Sequence, residues 1–296
     1  MTVAHPFAVG EALNSTRSPR TTKLGLELRS ARVALGWNQR TAAAESGFSN
    51  ATLSRWETGK HVPRPEYLRS LLATYRVPAS RRDELVELAR DPDGSHWVAV
   101  GLPGQYQQLR TLRRFERQAT RITDVSPLLI PGLLQTEQYT RAIMAAAGVP
   151  ATDIDARAAV RRERAEILTQ PDPVQLVAVI GAAALHHRIG NDHVMLDQLR
   201  WLSTMAERAN VLLHVLPEHG PWHPALEGPF ILVEGVEGAV VHVENRRSAL
   251  FFHQPTDVDA YRVAVDLVLD AAAGLLDSAS IVADAISDLE LEMETR

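Results

Sequence analysis

The chain has no cysteine. Disulfides and thiolate metal sites are therefore excluded, and a reducing cytoplasm is the expected compartment. No stretch approaches the roughly 20 apolar residues of a membrane span, so no membrane partner is expected. The N-terminus lacks a signal-peptide pattern. No Gly-rich phosphate loop is expected, since Gly101-Leu102-Pro103-Gly104 follows no stretch that reads as a credible strand. There is no Gly-x-Ser-x-Gly nucleophile elbow either. No catalytic residues and no cofactor are assigned, and the chain is not expected to be an enzyme.

With 296 residues the chain can bury a sizeable core, and two domains are the natural expectation. Its net charge of −5 hides an uneven distribution. Residues 1–90 hold 14 Lys+Arg against 8 Asp+Glu, a balance of +6; residues 91–296 hold 17 against 28, a balance of −11. A basic N-terminal module on an acidic remainder is expected when one end meets phosphates.

Leu24, Leu28, Ala31 and Leu35 form one apolar stripe at helical spacing, which Gly36 ends. Asn38 is placed to cap a second helix, stopped after Ser46 by Gly47. Ser49 is placed to cap a third, Asn50 to Thr58, with Gly59 as its stop. Pro65 suits the first position of a fourth helix with Leu68, Leu71, Leu72 and Tyr75 inward, and residues 81–90 give a fifth with Leu85, Leu88 and Ala89 apolar. Two short helices about a Gly47-Phe48-Ser49 turn, the second polar on one face, form a helix-turn-helix, a device for placing a helix in a DNA major groove. Similar hairpins also occur in enzymes and protein-binding modules. Glu57 is expected to pair with Arg29 or Arg32 and lock the first helix to the third.

Gln39, the Gly47 turn and the run Ser49-Asn50-Ala51-Thr52-Leu53-Ser54-Arg55-Trp56-Glu57-Thr58-Gly59 resemble the lambda repressor/Cro family, also called XRE. The resemblance implies that Gln39, Asn50 and Ala51 lie nearest the bases or flanking phosphates. Ala42 and Ser46 stand where the family usually has Leu, so Trp37, Phe48 and Trp56 are expected to fill the volume. Ala51 can meet a thymine methyl but cannot hydrogen-bond. Direct readout then rests on Asn50 and Arg55, with Gln39, Ser49, Thr52, Ser54 and Lys60 on phosphates.

The expected organisation is a flexible arm (1–21), the helix-turn-helix domain (22–90), a Gly/Pro-rich linker (91–104) and a mixed α/β domain (105–296), α+β overall. Residues 105–123 read as one helix, with further helices at 136–147, 153–168, 193–209, 256–273 and 278–293. Strands are expected at 174–180, 211–216, 229–234 and 239–244. This second half is similar to the domain of WhiJ-like actinobacterial regulators. The similarity is carried by Ile130-Pro131-Gly132-Leu133-Leu134-Gln135-Thr136-Glu137-Gln138-Tyr139, the Arg161/Arg162 helix, Val215-Leu216-Pro217, His223-Pro224-Ala225-Leu226-Glu227-Gly228-Pro229-Phe230 and the Tyr261 helix. It implies a regulator of development or secondary metabolism, often encoded beside a small partner protein.

The second half holds His186, His187, His193, His214, His219, His223, His242 and His253. His219 and His223 have ligand spacing, but Gly220 and Pro221 break any helix between them. His186 and His187 are adjacent and face apart. No metal site is assigned. Trp222 and His223, between prolines, form the candidate ligand or partner contact; the alternative is a packed loop covering the sheet edge. Two readings follow. One is a sequence-specific regulator binding double-stranded DNA as a homodimer, its C-terminal domain sensing a small-molecule effector or partner. The other is an antitoxin-like protein whose C-terminal domain restrains a small neighbour-encoded protein.

Overall fold

The computed structural model describes residues 19–90, 96–100, 111–236, 238–245 and 248–295. The chain divides into two compact units, Met1–Gly94 and Ser95–Arg296.

Among its described residues the first unit holds helices and no strand: α1 (Pro19–Ala34), α2 (Gln39–Ser46), α3 (Asn50–Glu57), α4 (Pro65–Thr74) and α5 (Ala79–Arg90). Residues 19–21, read as the end of a flexible arm, instead form the first turn of α1, where Thr21 and Thr22 are buried. Residues 1–18 lie outside the described residues. Asn38 caps α2 by accepting the Thr41 N–H at 2.8 Å, and Gly47 follows in the left-handed region at φ 73°. Leu24, Leu28, Leu53, Trp56, Leu68, Leu71, Leu72, Tyr75, Leu85 and Val86 form the core. Small Ala42 is fully buried, and aromatics fill the space beside it. Phe48 packs edge-on against Trp56 at 4.9 Å and Tyr67 at 5.8 Å, and Trp37 against Tyr75 at 6.1 Å.

The second unit is built on a seven-stranded sheet ordered β1-β7-β6-β5-β2-β3-β4. Its strands are β1 (His96–Val100), β2 (Ala119–Ser126), β3 (Gln175–Gly181), β4 (Val211–Leu216), β5 (Phe230–Gly235), β6 (Gly238–Glu244) and β7 (Ser248–Phe252). β2, β3 and β4 run parallel; the other pairings are antiparallel. A helix α6, described over 111–116, precedes β2. Then come α7 (Glu137–Ala146), α8 (Ala151–Ala165), α9 (Ala182–His186), α10 (Asp192–Ala206), α11 (Pro255–Ala271) and α12 (Leu275–Glu294), with 3-10 turns at Glu166–Leu168 and Pro224–Glu227.

Two expectations fail here. The helix read over 105–123 ends at 116, and Ala119 and Ile122 belong to β2. Thr120, Ile122, Thr123 and Val125 are β-branched, and that preference wins once Arg117 and Gln118 turn the chain. The linker read over 91–104 contains β1, which pairs with β7 from His96↔Phe252 to Val100↔Ser248; residues 91–95 and 101–110 are outside the described residues. β7 and α9 were also not anticipated.

One sheet face lies under α11: Val125, Val177, Val179, Leu232 and Val241 pack with Val258, Val265 and Val268. Strand alternation puts Ile122, Asp124 and His242 on the other face. Edge strand β4 is sealed at its end. The Val215 N–H donates to Ser278 Oγ at 2.9 Å, and its carbonyl accepts from Ala273 N–H at 2.9 Å.

Candidate nucleic-acid interface

The exposed side of α3 is set by what its other side buries. Leu53, Trp56 and Glu57 face the core, so helical spacing turns Asn50, Ala51 and Arg55 outward, with Thr52 and Ser54 half-buried between. Ser49 caps the helix: its Oγ accepts the Thr52 N–H at 3.1 Å and shares a hydrogen bond with the Thr52 hydroxyl at 2.8 Å. These two hydroxyls serve the helix start before any phosphate. Arg55 makes no ion pair among the described residues, and its guanidinium is presented to solvent. Lys60 is exposed just past the α3 stop.

Behind α3 lies a buried ion pair. Arg32 Nε and Nη2 donate to Glu57 Oε1 and Oε2 at 2.6 and 2.9 Å, and Arg32 Nη1 donates to the Trp37 carbonyl at 2.7 Å. Of the two arginines expected as partners of Glu57, Arg32 is the one used. Gln39 Nε2 also donates to Glu57 Oε2 at 3.0 Å. The half-buried Gln39 thus ties the start of α2 to the end of α3, using one of its two amide N–H donors. Arg32 is raised above its usual pKa by the hydrogen bond to Glu57, against the opposing effect of burial. Gly25 lets α1 approach: a Cβ there would meet the Glu57 carbonyl oxygen at 2.6 Å.

In the second unit the candidate pair separates. Trp222 is 64% exposed, whereas His223 is buried. Among the described residues no group of three His, Asp or Glu could hold a metal ion, and no helix is long and apolar enough to cross a membrane.

The second unit also holds a buried polar cluster that the sequence reading did not assemble. Arg164 Nε and Nη2 grip Glu116 at 2.6–2.9 Å, both nearly sealed from solvent. Asp124 accepts from the Ser126 hydroxyl at 2.8 Å, and burial pushes its carboxyl up to about 6 despite that bond and the nearby Arg164 charge. Arg161 Nη1 donates to Gln135 Oε1 at 2.8 Å. Burial, then the like charge of Arg164, lowers Arg161 to about 10. His242, 3% exposed, is lowered to about 3 by burial and by Arg164. Only the arginine-bearing helix was visible in sequence; Glu116 and Asp124 lie on different elements, His242 is far from both along the chain, and the three share no motif.

Residues 23–85 match a helix-turn-helix domain, which supports DNA as a partner. Residues 109–284, more than half of the chain, match a domain of unknown function, DUF5753. The chain belongs to the DUF5753 family. The buried polar cluster lies inside that DUF5753 match, while the exposed face of α3 lies inside the helix-turn-helix match. No curated protein matches the chain. Among solved structures the DUF5753 chain is similar to TrmBL2, an archaeal chromatin protein described as showing a novel mode of DNA binding. The two are 12% identical, with 84% of this chain and 93% of that one covered at a TM-score of 0.29, too low to carry an argument.

Proposed function

We propose that the protein is a sequence-specific, DNA-binding transcriptional regulator of the XRE type. The observation that carries this reading is the arrangement of α3. One face is fixed by Leu53, Trp56 and the buried Glu57–Arg32 pair, and the other offers Asn50, Ala51 and unpaired Arg55. In this reading Asn50 and Arg55 contact base edges, Ala51 meets a thymine methyl, and Ser54, Lys60 and the second amide N–H of Gln39 position the backbone. Ser49 and Thr52 hydroxyls reach phosphates while keeping the cap. One such helix reads only a few base pairs, so two copies of the chain bind half-sites about 34 Å apart. The C-terminal domain, WhiJ-like in this reading, supplies dimerisation and effector sensing, has no catalytic role and works in the cytoplasm. The test is Arg55→Ala: if Arg55 pairs with a guanine, the variant loses about 1–3 kcal/mol on the operator and little on random DNA. Equal loss on both makes it a phosphate contact.

A second reading is favoured by one observation. Trp222 and Leu226, 64% and 65% exposed, stand four residues apart, just before and within the 3-10 turn Pro224–Glu227. An antitoxin-like protein would present such a surface to a small partner, using its DNA-binding domain for autoregulation. Co-purification of a small neighbour-encoded protein, lost in Trp222→Ala, supports it; no such protein in the wild-type preparation counts against it.

A further inference from the structure

We propose that Arg161 anchors a small molecule bearing an oxyanion, a carboxylate or a phosphate, inside the C-terminal domain. The proposal rests on the effector-sensing part of the reading above and gives it a site and a ligand class.

Three observations converge. First, the two cluster arginines of α8, one turn apart, are not equivalent. The Arg164 fork is consumed by Glu116, whereas Arg161 meets only a neutral amide, Gln135, and its Nε is buried with no partner. Glu244, at the end of β6, and Asp124 act on Arg161 electrostatically, but no carboxylate hydrogen-bonds it, and a planar oxyanion is the partner its forked donors fit. Arg161 is half-buried rather than sealed, so it can be reached from solvent.

Second, His242 Nε2 is also buried without a partner, on a residue 3% exposed. Register places it on the same sheet face as Asp124: Asp124, Ile231, His242 and Phe251 are successive partners across β2, β5, β6 and β7. The side chain is neutral at physiological pH, so it can donate to an anion without adding charge.

Third, the place in the fold suits a ligand. Asp124 lies near the carboxyl end of β2, the strand at which the order turns, with β3 and β4 on one side and β5, β6 and β7 on the other. Open α/β sheets bind ligands at such ends. The Pro131-Gly132 loop lies close over the arginines, since a Cβ on Gly132 would meet Arg164 Nη1 at 3.1 Å. Gln135 fastens that loop by donating to the Ile130 carbonyl at 2.7 Å while its oxygen accepts from Arg161.

Isothermal titration of the full chain with inorganic phosphate, and separately with citrate, at constant ionic strength tests this. The expected result is saturable one-site binding of at least one probe, weakened at least about tenfold by Arg161→Gln and less by Arg161→Lys, which keeps charge but loses the fork. Phosphate alone or citrate alone names the ligand's source. The ligand-free thermal midpoint of Arg161→Gln should stay close to wild type, because Gln135 alone hydrogen-bonds the guanidinium, whereas Arg164→Gln, which strands Glu116, should lower it; a midpoint lowered as far by Arg161→Gln makes Arg161 structural and overturns the proposal. So does unchanged binding in Arg161→Gln, or no saturable binding of either probe by wild type up to about 10 mM. Operator affinity is measured with and without the bound probe. If the probe binds but the affinity is unmoved, the site stands and the effector role falls.

Discussion

Arg32 and Glu57 show how much one residue pair decides. Both side chains are under 10% exposed, and between them they join α1, the turn at Trp37, the start of α2 and the end of α3. Removing one partner strands the other charge in the core. Glu57→Gln should therefore lose about 3 kcal/mol of stability in urea denaturation, and a loss near zero would show that the pair does not fix the recognition helix. Sequence spacing pointed to Glu57 and to two arginines but could not choose, because Arg29 and Arg32 sit on the same helix and only the α1–α3 crossing distinguishes them. Two groups of the second unit make stability pH-dependent in opposite senses. His242 has a folded value near 3, below its ordinary 6.5, so its contribution is full above 6.5 and is lost as pH falls from there toward 3. Asp124 has a folded value near 6, above its ordinary 3.8, so its contribution is full below 3.8 and is lost as pH rises through 6. Calorimetry of His242→Phe should show a smaller drop in melting temperature from pH about 7 to about 5 than wild type, and Asp124→Asn a larger one. Parallel curves for all three chains would contradict both assignments.

Elements of the first unit were legible because their boundaries are local chemistry. Asn38, Ser49, Gly47 and Pro65 each act within a few residues of themselves, and each marks a helix end where spacing put it. Ser49→Ala should cost about 1 kcal/mol by thermal unfolding, since it removes the cap of α3; no change would mean that Thr52 or solvent replaces it. Gly25 was not legible as a contact, because its role depends on which backbone crosses it. Gly25→Ala should push α1 from the Glu57 carbonyl and cost about 1–3 kcal/mol in the same assay. In the second unit the parallel strand β3 was readable as a buried apolar run, all but Gln175 of it enclosed. β2 was not, because its spacing of apolar residues continued the rhythm of the helix before it. β1 and β7 are five residues each and lie beside Gly, Pro and Arg, so local composition spoke for loop.

At the scale of the molecule, the division of charge follows the division of the chain. The basic N-terminal unit carries the exposed α3 face, and the acidic remainder should weaken non-specific DNA binding most at low salt. The number of copies on DNA follows from the short reading frame of one helix; sedimentation of the free chain should show a dimer, and a monomer that stays monomeric on its operator would contradict the half-site account. The polar cluster of the second unit was the least legible part, because Glu116, Asp124, Arg164 and His242 meet only through sheet register and the crossing of α8. The central claim is that α3 reads sequence. Its most direct test is a salt titration of binding to the gene's own upstream DNA and to random DNA, for wild type and the Asn50→Ala/Arg55→Ala double variant. The account predicts that wild type prefers its own upstream DNA at every salt concentration and that the double variant binds both DNAs alike. A double variant that keeps the wild-type preference would contradict it.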